Sequence, residues 1–281
     1  MIEEVRRLAQ IEDHKLRLRE AARLMAELQD AVKETSRMRR ESIQALRERG
    51  LSMADVARLM GISRARVAQL KDVGPPPERA FLGTGKISVA VPERPGGRRL
   101  VARADAAAGQ TVLGLANALG LSGDLEYIPL TGEIDLNRDG LVVICGPKSS
   151  PVTAETLRGD PVLNFSELTD GRWAITERAT STAHTSPSDD PNDPRETDIA
   201  YLGRLPRPDG QGSFLYIAGV HAIGSLGAAH YLNGHLAELY DQVGTDLFSM
   251  VITSDHDQAT EEIHSSHVLT SPQRHEGEGK R

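Results

Sequence analysis

Three consecutive prolines, Pro75-Pro76-Pro77, divide the chain into two segments of different character. Proline lacks a backbone N–H and fixes φ, so no helix continues through such a run. Ahead of it, residues 1–49 contain neither Gly nor Pro and are rich in helix formers. Behind it, short β-branched runs alternate with helical patterns. The run therefore predicts a helical domain over 1–74, a stiff linker over 75–80 and an α/β domain over 81–257, with a polar, disordered tail over 258–281. A length of 281 residues suits two domains of ordinary size.

Charge is distributed unevenly across that division. Residues 1–74 hold 16 Lys and Arg against 12 Asp and Glu, a net +4; the remainder holds 17 against 28, a net −11. A basic head on an acidic body suits a protein that meets DNA at one end only, because phosphate repels the body. There is no apolar run of membrane-spanning length. The start, MIEEVRRLAQ, has no apolar core and does not read as a secretory signal. The single cysteine, Cys145, excludes an intrachain disulfide framework. A cytoplasmic protein is expected.

Within 1–49, Ile11, Leu18, Met25 and Val32 recur every seven residues, followed at three by His14, Ala21 and Leu28. About three heptads of such a seam is the shortest pattern that reads as a coiled coil. Two readings stand: a dimerising helix or hairpin, or helices that cover the next motif.

That motif is SMADVARLMGISRARVAQLK, Ser52 to Lys71. With Gly61 as the turn glycine of a helix-turn-helix, Ala57 falls where two helices cross and only a small side chain fits. Val56, Met60, Ile62, Val67 and Leu70 take the apolar positions, and Ser63 is a natural N-cap for the second helix. The stretch LRERGLSMADVARLMGISRARVAQL, Leu46 to Leu70, resembles the helix-turn-helix of sigma-factor region 4 and of related small regulators of the actinobacterial type. Only 45 residues precede Leu46, fewer than the polymerase-binding domain of a complete sigma factor needs. The resemblance thus implies DNA binding rather than sigma activity.

In such motifs the N-terminal half of the second helix faces base edges in the major groove. Ser63, Arg64, Ala65, Arg66, Ala68, Gln69 and Lys71 occupy those exposed positions. Arginine pairs with guanine O6 and N7, and glutamine with adenine, each through two hydrogen bonds. Arg39 and Arg40 suit phosphate contacts, which position without specifying. One such reader makes few phosphate contacts and binds weakly at physiological salt, so a homodimer or higher homo-oligomer is expected.

The second segment predicts strands at 87–91, 126–130, 141–145, 173–175, 214–218 and 247–253, with helices near 102–119, 152–157 and 225–243. This alternation predicts a flavodoxin- or Rossmann-like, doubly wound, mostly parallel sheet. Ligands of such sheets bind beyond the carboxyl ends of the strands. Three segments there suit a small anion, such as a nucleotide: Gly146-Pro147-Lys148-Ser149-Ser150, the turn from His221 through Gly224, Ser225 and Gly227, and the basic loop holding Arg94 and Arg98. Residues 186–190 and 198–204 were candidates to close over that site. The run from Thr180 to Arg195 reads as one polar loop.

No nucleophile elbow, phosphate-binding P-loop or zinc-protease signature is present. His221 and Glu177 are the acid–base candidates, but nothing in the sequence pairs them. His256, His264, His267 and His275 read as a solvated tail rather than a metal site, and Cys145 as a buried, inert thiol. The expectation is a DNA-binding transcriptional regulator with a ligand-sensing α/β domain, no catalytic role, no metal and no cofactor. Two alternatives stay open: a nucleotide-processing enzyme with a DNA-binding head, and a body that only mediates protein contacts. The last predicts that bulky residues are tolerated at Gly224 and Gly227.

Overall fold

A computed structural model describes residues 2–96, 100–193 and 195–275. The chain forms two compact units that meet in sequence between Pro77 and Glu78.

The first unit is helical. Helix α1 (Ile2–Ala9) is followed by the 35-residue α2 (His14–Glu48), then α3 (Met53–Met60) and α4 (Arg64–Leu70). Ile11 of the heptad seam falls in the break before α2, while Leu18, Met25 and Val32 are exposed along α2. Local chemistry fixes the ends of α3. Ser52 Oγ accepts the N–H of Asp55, and the Asp55 carboxylate accepts the N–H of Ser52, a reciprocal capping box. Gly61 closes α3 with φ of 65°, a left-handed conformation that costs glycine nothing. Ser63 then caps α4, its Oγ accepting the Arg66 N–H at 3.1 Å. Ile43, Val56, Ala57 and Val67 are buried together, with Met60, Ile62 and Leu70 packed around them. Four buried residues make a small core, so the caps carry a large share of this unit's order, at about 1 kcal/mol each.

The second unit is mixed α/β. A 3-10 turn over Pro77–Phe81 stands at its start, so the segment expected as linker already contributes buried Arg79 and Ala80, next to buried Phe81. The strands are β1 (Lys86–Arg94), β2 (Leu100–Val101), β3 (Ser122–Ile128), β4 (Leu141–Ile144), β5 (Leu163–Glu167), β6 (Trp173–Glu177), β7 (Ala183–Thr185), β8 (Thr197–Pro206), β9 (Ser213–Gly219), β10 (Phe248–His256) and β11 (Ile263–Arg274). The helices are α5 (Arg103–Ala118), α6 (Pro151–Arg158) and α7 (Ala222–Val243).

The main sheet has eight strands in the order β11-β10-β8-β9-β4-β1-β2, with β3 also paired to β1. It is not the mostly parallel sheet expected. Only β3, β1, β4 and β9 run parallel, and β8, β10 and β11 add antiparallel neighbours. The reason is connection length: β8–β9 and β10–β11 are joined by loops too short for a crossover, so the chain must turn back on itself. β5, β6 and β7 form a separate antiparallel sheet, so the strand at Trp173 lies outside the main one, and β7 occupies part of the expected Thr180–Arg195 loop.

Alternation along the strands builds two cores. Ile87, Val89 and Val91 of β1 share one with α5 and α7, while Ala90 faces the other, which Leu157 of α6 and Phe165 and Ile175 of the small sheet complete. Residues 198–204, expected to close over a site, are instead the central strand β8, nearly all buried. The expected tail is largely β11, an edge strand carrying His264 and His267. His256 ends β10 and is buried. His275 is also enclosed, its Nε2 lying 2.6 Å from Ser249 Oγ within a buried group that includes Asp160 and Tyr201, and burial lowers its pKa. An edge strand buries one face only, which is why its sequence reads as polar. Among the described residues no helix is long and apolar enough to cross a membrane, and no cluster of His, Cys, Asp and Glu is arranged to hold a metal ion.

Candidate functional site

In the helical unit, α4 leaves Arg64, Ala65, Arg66, Ala68 and Gln69 exposed around the single buried Val67. Arg66 Nη1 donates to Gln69 Oε1 at 3.1 Å, which places two base-reading side chain types next to one another. On the neighbouring side, Arg64, Lys71, Arg40 and Arg47 line a groove of about 500 Å³ together with Gln44. Asp72 is the only carboxylate in that lining. Arg47 was not among the sequence candidates, yet it lies seven residues from Arg40, on the same helix face. Arg40 also donates to the Gly74 carbonyl at 3.3 Å, and Arg39 is half-buried with its Nε enclosed and without a hydrogen-bond partner. Ser63 is committed to capping rather than freely presented.

In the α/β unit, a cleft of about 190 Å³ opens at the carboxyl ends of β1, β4 and β9. Here the topology switches sides: the crossover through α5 pairs β3 on one side of β1, and β4 pairs on the other. Arg94, Gly146, Lys148, Ser149, His221 and Ser225 line the cleft, so all three predicted segments meet there. Arg98 lies outside the described residues. Pro147, Ser150, Gly224 and Gly227 are not in the lining. Ser150 caps α6 and donates to the Gly132 carbonyl at 2.6 Å. Gly224 and Gly227 serve packing: a Cβ on Gly224 would stand 2.6 Å from Asp198 Oδ2, and one on Gly227 would overlap Ser254.

Three acidic residues dominate the chemistry; Asp105 was no sequence candidate, and Asp189 and Asp198 fall in the segments expected to close over the site without a role of their own. Asp198 is fully buried and accepts the backbone N–H of His221 at 3.1 Å and of Gly224 at 2.9 Å. The start of α7 is thus already capped by the chain's own carboxylate. Asp198 Oδ1 also lies 3.2 Å from His221 Nδ1, while Asp189 Oδ1 lies 3.1 Å from Nε2. A carboxylate at each nitrogen of an imidazole favours the protonated ring, which donates at both. The hydrogen bond to Asp198 accordingly raises the His221 pKa, against the opposing pull of burial. Asp105 is the third: its buried carboxyl is pushed above the usual range, while the Arg94 guanidinium, 2.9 Å away, pulls it down. Lys148 differs, since no carboxylate among the described residues pairs with it. Its Nζ contacts the Val220 carbonyl at 3.3 Å and sits 5.1 Å from the centre of the Trp173 ring.

The cleft therefore presents a guanidinium, an ammonium group and an imidazole whose protonated form is favoured, partly neutralised by built-in carboxylates. Among the described hydrogen bonds, His221 pairs with Asp198, and Ser225 Oγ accepts the Gly219 N–H. Glu177, the other acid–base candidate, is engaged elsewhere, 2.8 Å from His184.

Two outcomes follow from these environments. A histidine whose folded pKa is raised stabilises the fold in full below its unfolded value, about 6.5, and that contribution is lost as pH rises through the folded value. Thermal melting of wild type and His221→Gln should therefore diverge as pH falls from 8 towards 6, wild type gaining; parallel curves would refute the Asp198–His221 pairing. Burial pushes the Cys145 thiol up to about 12. The native protein should accordingly resist a thiol-specific chromogenic reagent at pH 8 and react with one equivalent once unfolded. Rapid reaction in the native state would place this side chain at the surface.

No family model matches the chain, and no curated protein matches it.

Proposed function

We propose that the protein is a sequence-specific DNA-binding regulator whose α/β unit holds a small anionic ligand. The observation that carries the first half is the face of α4: Arg64, Arg66 and Gln69 exposed beside a groove lined by four cations and one carboxylate. On this reading α3 and α4 act as a helix-turn-helix in which α4 enters the major groove. The groove cations meet phosphate, and Arg66 and Gln69 meet base edges. The basic first segment and the acidic second agree with this orientation. Exposed Leu18, Met25 and Val32 supply a dimer contact, and two readers offset the weak phosphate contacts of one. A cytoplasmic location accompanies this role.

The ligand half rests on the cleft. On this reading the parallel strands β3, β1, β4 and β9 act as a Rossmann-like half-sheet that takes its ligand beyond their carboxyl ends. A volume of about 190 Å³ is below the roughly 300–1,000 Å³ that encloses a drug-sized molecule, so the cleft takes a small anion or only the anionic group of a nucleotide. A second reading, a nucleotide-processing enzyme, draws on the Asp198–His221–Asp189 arrangement, which resembles a positioned acid–base group. Conversion of added nucleotides to product would favour it.

The test of the main reading is selection from a pool of random duplexes with the full-length protein. An enriched motif is expected, with two half-sites about 10 base pairs apart if two readers act together. A pool that stays unenriched would overturn DNA reading.

A further inference from the structure

His221 is flanked by two carboxylates that differ in kind. Asp198 is fully buried at the start of β8, fixed by two backbone N–H groups, and part of the scaffold. Asp189 comes from a separate surface element, a single 3-10 turn over Pro187–Asp189. That turn is tied to the sheet through hydroxyls: Ser186 Oγ and Ser188 Oγ donate to the Thr197 carbonyl at 3.3 and 2.9 Å. A neighbouring cation, Lys148, is close enough to oppose His221 protonation, and no described carboxylate neutralises it. The second nitrogen of the imidazole is thus already occupied by an anion, and that anion sits on a short turn held to the sheet by two hydroxyl hydrogen bonds.

We propose that Asp189 holds the place of the ligand: an anionic group of the carboxylate or phosphate class docks on His221 Nε2 and Lys148, displacing the Asp189 carboxylate and releasing the 186–190 turn. This deepens the anion-site reading above and rests on it. The exchange is balanced in charge, one anion leaving the imidazolium as another arrives, so it opposes ligand entry without burying an unpaired charge. It also gives binding a structural consequence. The Pro187–Asp189 turn lies against β8, whose buried Asp198 caps α7, so release of the turn occurs next to the element that orients His221. A ligand shifts a conformation only through a difference in its affinity for the two states, and removing Asp189 from Nε2 supplies that difference.

The probe is inorganic phosphate, followed by calorimetry and by the ring resonances of His221 in the full-length protein. Asp189→Asn removes the competing charge and keeps the side chain's shape, and it should bind phosphate about tenfold more tightly than wild type, a coupling of ordinary size for such competition. Asp189→Asn combined with His221→Gln should lose that gain. Phosphate should also speed proteolytic cleavage of wild type within residues 186–196, and cleavage in Asp189→Asn should be fast without it. If phosphate binds wild type and Asp189→Asn equally and cleavage is unchanged, the cleft takes anions but Asp189 is no placeholder, and the proposal falls alone. If neither protein binds phosphate, the anion-site reading fails, and the proposal with it. A cooperative melt and a far-ultraviolet circular dichroism spectrum like that of wild type in each variant separate these outcomes from misfolding.

Discussion

Arg66→Ala is expected to lower affinity for the selected duplex by about tenfold to a hundredfold while leaving the protein folded. A good two-bond pairing between arginine and guanine discriminates by about 1–3 kcal/mol, and 1.4 kcal/mol is a factor of ten. The side chain is exposed, and its recorded contact is to Gln69 on the same short helix, so truncation removes no core contact. The Arg66 backbone N–H still meets Ser63 Oγ, which keeps the helix start intact. The comparison that gives this result meaning is Arg47→Ala. Arg47 lines the cationic groove and does not lie on α4, so its loss should weaken selected and random duplexes alike and reduce the salt slope by about one. Titration of both variants by fluorescence anisotropy at several salt concentrations separates the two effects. Full affinity and specificity in Arg66→Ala would place another surface in the major groove.

Local features of this chain are legible in its sequence and most non-local ones are not, for physical reasons. The turn between α3 and α4 was legible because it rests on neighbours: Gly61 with its left-handed φ and Ser63 with the Arg66 N–H. The meeting of Gly146–Ser149 with His221 and Ser225 was also foreseeable, because parallel strands put their carboxyl ends at one edge. The misses concern strands whose environment the sequence does not show. β8 is buried on both faces yet carries Asp198 and Arg204, so its polar residues read as loop. β11 is an edge strand of serines, histidines and threonine, and reads as tail. Those two errors hid the antiparallel half of the sheet. They also concealed Asp198, whose partner His221 is 23 residues away and on another element. The single signal present was an isolated acid before an apolar run, Asp198 followed by Ile199 and Ala200, too common to carry a prediction. Asp189 lies in the 186–190 segment expected near the site, but its pairing with His221 is non-local and its proline- and acid-rich surroundings do not single it out.

The largest effect on stability is expected at Gly227. This glycine faces β10 from the first turns of α7, where an added Cβ would overlap Ser254 Oγ and Cβ. Ser254 is itself buried, and β10 is held between β8 and β11, so neither the side chain nor the strand has room to yield. Overpacking of a tight core costs about 1–3 kcal/mol and occasionally more, and Gly227→Val should reach the upper end or leave the α/β unit unfolded. The control is Gly114→Ala in α5, where nothing lies within 4 Å of an added Cβ. There the change replaces a poor helix former by the best one and should stabilise by as much as about 1 kcal/mol. Chemical denaturation of the two variants, followed by far-ultraviolet circular dichroism, should thus give shifts of opposite sign from chemically similar substitutions. The contrast also bears on the reading of the body as a mere interaction surface, which requires freedom at Gly224 and Gly227. Both glycines bring α7 close to the sheet, and Gly224 does so beside the carboxylate that orients His221. Intolerance at Gly227 with stabilisation at Gly114 would establish that the glycines after β9 set the distance between α7 and the sheet, and with it the geometry of the cleft. A Gly227→Val protein as stable as wild type would mean that α7 rides further from β10, and the Asp198–His221 contact would have to be redrawn with it.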